Sequence, residues 1–152
     1  MIRTLSNSSP EAKDFLKFIR NDLTAHRVRL KFSRGRLVRF GKGYSTAGYF
    51  EEPTARKWGC IKIGTGNRKP INILTNLIHE YCHFLQWKNG DRQWLKGNGD
   101  HIEGTSYILL EERTERESMR LIREWHLPVN HSAIRKRSRS YIAWLRSTEL
   151  DN

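Results

Sequence analysis

Apolar positions change period along the chain, and each change marks an element. Phe15, Ile19 and Leu23 recur at helical spacing after Ser8-Ser9-Pro10-Glu11, where either serine can cap a helix and Pro10 suits its first turn. The spacing predicts a helix over residues 10–25. In Arg27-Val28-Arg29-Leu30-Lys31-Phe32 cation and apolar residue then alternate without a break, the period of a strand with one buried face and a wholly positive outer one. Ser33-Arg34-Gly35-Arg36 supplies a turn, so residues 36–40 are expected to return as the second strand of a hairpin. Residues 44–50 and 58–64 read as further strands.

An apolar-rich segment, residues 71–87, stops at Lys88-Asn89-Gly90 and is predicted to be the second helix. A polar loop with Gly97, Gly99 and Asp100 follows. Thr105 or Ser106 starts a third helix that Leu127-Pro128 ends, and a last helix begins near Ser132 and carries Ile134, Tyr141, Ile142 and Leu145. The expected fold class is α+β: an N-terminal helix, a small antiparallel or mixed sheet of three to four strands, then a central helix and C-terminal helices. Without repeats or a Gly/Ser-rich linker, residues 1–152 are expected to form one domain.

The second helix contains His79-Glu80-Tyr81-Cys82-His83. Histidines four apart on a helix differ by about 40° around the axis and about 6 Å along it, so both imidazoles reach one metal ion. Glu80, one step round from His79, is placed to take a proton from a water that zinc has acidified. Solvated or core histidines would not explain two of them inside the apolar run of Leu77, Ile78, Phe84 and Leu85.

A catalytic zinc needs a third protein ligand and an open position. If Met119, Ile122 and Trp125 mark the buried face of the third helix, stepping back by three and four residues places Glu115, with Glu111 or Glu112, on that face. Glu115, central to the helix, is the first choice, and Glu112 the second. His101, which Asp100 can orient, competes from the loop. The other reading of Glu111, Glu112, Glu115 and Glu117 is a solvated acidic face paired with Arg113, Arg116 and Arg120.

Charge changes the picture of partners. The chain carries a formal charge of +12, and the excess is uneven: residues 1–50 hold eleven Lys/Arg against three Asp/Glu, residues 51–126 twelve against eleven, residues 127–152 five against two. A nearly balanced middle between basic ends suggests a chemical site flanked by surfaces that meet an anion, nucleic acid first, through Arg27, Arg29 and Lys31 and through Arg135, Lys136, Arg137 and Arg139. The competing reading is charge that serves solubility alone. Cys60 and Cys82 are too few for a disulfide framework and read as buried thiols, and no apolar run approaches a membrane span, so a soluble, cytoplasmic protein without a membrane partner is expected.

Residues 77–85, and more weakly 111–122, resemble the zincin metallopeptidases, and among them the gluzincins, in which H-E-x-x-H is completed by a Glu on a later helix. Gln86 stands where the elongated metzincin signature has Gly. The order of elements is similar to minimal intracellular zincins such as the SprT-like proteases, which use a third histidine, and small phage-encoded or toxin-associated metallopeptidases. The resemblance implies a zinc-dependent peptidase acting on a protein or peptide, with His79, His83 and Glu115 on the metal and Glu80 as catalytic base. It also implies that the strand before the active-site helix, residues 59–63, lies along the substrate, with Tyr107 or Tyr81 as a donor to the oxyanion. The alternatives from other classes are a basic nucleic-acid-binding module and an inhibitor or adaptor that retains a zincin-like fold.

Overall fold

The computed structural model describes residues 5, 9–41, 43–91, 94 and 105–150. Helix α1 (Pro10–Ala25) starts at Ser9, whose Oγ accepts the Ala12 N–H at 3.0 Å, with Pro10 in the first turn. It buries Ala12, Phe15, Leu16, Ile19 and Leu23, one stripe of the helix. Strands β1 (Val28–Ser33), β2 (Val38–Phe40), β3 (Tyr44–Thr46), β4 (Gly48–Glu51) and β5 (Gly59–Gly64) follow, then helices α2 (Pro70–Lys88), α3 (Thr105–Glu124) and α4 (His131–Leu150). The α+β order is as expected.

Strand pairing corrects the hairpin expected from the sequence. β1 does not pair with β2: it runs parallel to β5, with Val28 opposite Gly59 and Phe32 opposite Ile63, while β4 lies antiparallel on the other side of β5. The sheet order is β1-β5-β4, and β2 with β3 forms a separate antiparallel pair. The reason is burial. Alternation gives β1 an apolar face of Val28, Leu30 and Phe32, and β5 offers a more apolar partner in Ile61 and Ile63 than β2, whose one buried residue is Val38. Because β5 is flanked on both sides, residues 59–63 have no free edge, and β1 and β4 are the edge strands. Arg27 also departs from expectation: its φ of 59° puts it in the turn before β1, outside the positive strand row.

Helix α2 opens with Pro70 and closes in a Schellman motif: Gly90 takes φ 67°, its N–H donates to the Trp87 carbonyl at 3.0 Å, and Asp91 N–H to that of Gln86 at 2.9 Å. One cluster of buried side chains joins α1, the inner face of the sheet, α2 and α3 through Phe15, Ile19, Phe50, Ile61, Ile63, Leu77, Ile78, Phe84 and Ile122. Among the described residues no helix is long and apolar enough to cross a membrane, and Cys60 and Cys82 are buried, free thiols.

Tyr81 belongs to this core. Only 1% of it is exposed, and its hydroxyl donates to Asp22 of α1 at 2.7 Å, where Lys88 also donates at 2.7 Å. Burial alone would raise the Asp22 pKa, but these two bonds and the neighbouring positive charges outweigh it and hold the carboxyl below its ordinary value. A carboxylate with a depressed folded-state pKa stabilises the fold above its unfolded value, and that contribution is lost as pH falls through the lower, folded value. Tyr81→Phe is therefore expected to cost about 1.5–3 kcal/mol near neutral pH. Denaturant titrations of both proteins should begin to converge as the pH falls below the ordinary carboxyl value of 3.8 and meet only below the lower, folded value; a pH-independent difference would assign the loss to packing instead.

Candidate metal centre

Helix α2 is buried on more than one side, against the sheet and against α3, and for that reason its apolar run can carry Asn76, Glu80, His83 and Gln86 as buried polar residues. His79 and His83 project from one face with their Nε2 atoms 3.1 Å apart and their rings edge to face. From α3, Glu111 reaches them: Oε2 lies 3.5 Å from His79 Nε2 and Oε1 3.4 Å from His83 Nε2. Glu111 is 5% exposed. The three side chains form the one group of ligating residues among those described that gathers within 4.8 Å.

Two imidazole nitrogens facing each other at this distance share at most one proton, whereas a cation satisfies both lone pairs and a carboxylate together. Around a tetrahedral zinc with bonds of about 2.0–2.1 Å the ligand atoms stand about 3.3–3.4 Å apart, and the observed separations scatter about that edge length. Two histidines and one glutamate also form a catalytic rather than a structural set, since one position stays open. The cluster is geometrically competent to chelate a divalent metal such as zinc. The cluster matches gluzincin-type HExxH zinc-peptidase architecture.

A metal-ligating histidine is oriented through its other ring nitrogen, and here Gln86 does this for His83. Its Oε1 accepts from His83 Nδ1 at 2.8 Å, its Nε2 donates to Thr114 Oγ1 at 2.8 Å, and Thr114 donates to the Leu110 carbonyl at 2.8 Å. The chain of bonds fixes the tautomer that leaves Nε2 for the metal and ties α2 to α3 at Glu111. Trp94 packs its ring 5.4 Å from that of His83. Burial opposes a charge on His83, yet the hydrogen bond and charge of Glu111 lift its pKa to about 9; the surrounding protein first, then the His83 charge, depress that of His79 to about 4. Glu111 itself, though buried, is held low by the two histidines.

Glu80 lies beside the cluster, 9% exposed. Burial raises its pKa from 4.5 to about 7, with the charge of Glu111 adding to the rise and His83 and the Phe50 backbone opposing it. That is the range in which a carboxylate takes up and releases protons at neutral pH. Gly48 of β4 makes the room: a Cβ there would stand 2.7 Å from Ile63 Cδ1 and 3.3 Å from Glu80 Cγ. The site opens into a cavity of about 610 Å³, walled by residues 46–50, by α2 and α3, and by Arg137, Ser138, Tyr141 and Ile142 of α4.

Of the residues expected from the sequence, His79, Glu80 and His83 come together. Glu115 lines the same cavity one turn beyond Glu111 and is not in the three-residue cluster. Glu112 turns outward and accepts from Arg146 of α4 at 2.5 Å. Tyr81 faces Asp22, away from the cavity, so it is no oxyanion donor; His101 and the Tyr107 side chain lie outside the described residues. Gln86 and Arg137 were not assigned to the site by sequence, although a glutamine three residues after His83 in an apolar run was a usable signal. Compared with protein-family models, curated proteins and solved structures, the chain gives no match.

Glu111→Gln should weaken zinc binding more than Glu115→Gln, and Gln86→Met should weaken it by about 10–100-fold while the fold is retained. Competition with a chromophoric chelator, alongside far-UV circular dichroism, checks both; a larger loss from Glu115→Gln would transfer the third ligand one turn along α3.

Proposed function

We propose that the chain hydrolyses peptide bonds with His79, His83 and Glu111 on zinc and Glu80 as general base. The observation that carries this reading is a buried carboxylate on α3 set against both imidazoles of the motif, with a second carboxylate of raised pKa beside them. Zinc bound there supplies Lewis-acid chemistry, polarising a carbonyl and acidifying water. Glu80 takes the proton of the attacking water and, its pKa being near neutral, returns it to the leaving amine. An extended substrate is accommodated along β4, whose edge is unpaired on the cavity side, by main-chain hydrogen bonds. Residues 1–152 act as one catalytic domain in this reading, and the free buried thiols suit an intracellular setting.

Glu80→Gln should keep its zinc and its fold and lose at least about a hundredfold in hydrolysis, measured on fluorogenic peptide mixtures with zinc content followed by atomic emission. Undiminished turnover would exclude Glu80 as the base.

A specific observation also supports contact with nucleic acid. The solvent face of the sheet gathers Arg29 and Lys31 of β1 with Lys62 of β5, and Lys31 stands directly opposite Lys62. Like charges in register cost stability, and an anion bound across them relieves that cost. Arg56, Lys57, Tyr49 and Trp58 border the same cleft, and its carboxylate, Glu51, is engaged by Lys57 at 2.8 Å. We infer non-specific contact with a phosphate backbone. Lys31→Glu with Lys62→Glu should reduce the salt slope of binding by about two counter-ions, read by anisotropy of labelled oligonucleotides; absence of binding by the parent protein at low salt would remove this partner.

A further inference from the structure

Asn76 stands on α2 one turn before His79 and lines the same cavity, 6% exposed. Its Oδ1 accepts from Arg137 Nη2 at 3.1 Å. A guanidinium only donates, so this bond fixes the orientation of the amide and turns Nδ2 elsewhere. Nδ2 is buried and has no hydrogen-bond partner among the described residues. Buried donors in native proteins are satisfied as a rule, and an orphan at the wall of a cavity points to a group that enters the cavity.

Arg137 carries the second observation. It reaches from α4 to the cavity, and no carboxylate among the described residues pairs with it, whereas Arg113, Arg120 and Arg146 each meet one. Burial opposes its charge, and Arg68, itself bonded to the Arg36 carbonyl at 3.1 and 3.2 Å, repels it further. An arginine does not shed its proton in a protein. Among the described residues, the wall of the metal cavity thus holds a guanidinium that no carboxylate pairs, beside a neutral donor without an acceptor.

We propose that Arg137 and Asn76 form a carboxylate-binding subsite of the metal cavity, so that the preferred substrate is a peptide bearing a carboxylate close to the scissile bond. The planar fork of Arg137 matches the two oxygens of a carboxylate, and the same anion gives Asn76 Nδ2 its missing acceptor. Asn76 precedes His79 by about 4.5 Å along the helix axis, which corresponds to one or two residues of an extended peptide. A C-terminal α-carboxylate and an Asp or Glu side chain offer the same chemistry. A lysine or arginine at that position is repelled. The subsite deepens the peptidase reading and rests on it.

The test uses the zinc-loaded chain and four peptides of one sequence: free C-terminus or C-terminal amide, each with Glu or Gln at the internal position. Wild type should cleave an acid over its neutral counterpart by a ratio in kcat/KM on the order of tenfold or more. The terminal pair reads the α-carboxylate, and the internal pair the side chain. Arg137→Gln and Asn76→Leu should bring that ratio toward one, mainly through KM, and Arg137→Lys should restore part of it. Absence of any acid preference in wild type, or an equal loss by Arg137→Gln on acid and neutral peptides, overturns the subsite, the latter making Arg137 a donor common to all substrates. Calorimetric binding of the same peptides to Glu80→Gln separates the two readings: no cleavage by wild type sinks the peptidase, while an acid preference in binding that Arg137→Gln abolishes sustains the subsite, and its absence ends it.

Discussion

Burial of carboxylate charge is the constraint around which the molecule is arranged. Glu80 and Glu111 are both withdrawn from water, which costs several kcal/mol for an ionised group left alone. The answer is placement. Glu111 is set within 3.5 Å of both imidazoles, and its neighbour on α3, Glu112, is sent outward to Arg146. Glu80 instead sits where a neutral form is accessible, its pKa lifted to about 7. Two glutamates of one chain thus acquire opposite properties, one ligand-like and one proton-transferring, from the charges that face them.

That arrangement needs α2 and α3 held in register, and ordinary packing alone does not specify it. The Gln86–Thr114–Leu110 relay does, because each polar atom in it is satisfied only at one axial offset of the helices. The sheet contributes through β4, where the absence of a side chain at Gly48 lets Glu80 pass close to the edge strand. On the far side of α2 the Tyr81–Asp22–Lys88 group secures α1 to the same helix. The active-site helix is therefore fixed by polar contacts on two sides, with the apolar cluster between them.

Positive charge is distributed by the same logic. Cations that meet acids, such as Arg113 with Asp91, stabilise the surface modestly. Among the described residues, other cations gather without an acidic partner on the outer face of the sheet, along α4 and at the α4 wall of the cavity. The basic ends of the chain supply Arg29, Lys31 and Arg137.

What the sequence determined by itself was local. The bounds of α1, the stop of α2 at Gly90 and the presentation of His79, Glu80 and His83 on one helix follow from backbone geometry within a few turns, so the chemistry of the motif was legible before any fold was known. Periodicity likewise brought Glu111, Glu112 and Glu115 into consideration, but it could not choose among them, because residues three or four apart share a face and differ by about one turn along the axis. The choice of Glu111 belongs to the offset between α2 and α3, a tertiary quantity. The same holds for the pairing of β1 with β5 across some thirty residues, for Tyr81 turning to Asp22 rather than to the metal, and for Arg137 arriving at Asn76 from sixty-one positions away. Each of these depends on which surfaces bury most against one another, and that is decided by the packed chain as a whole.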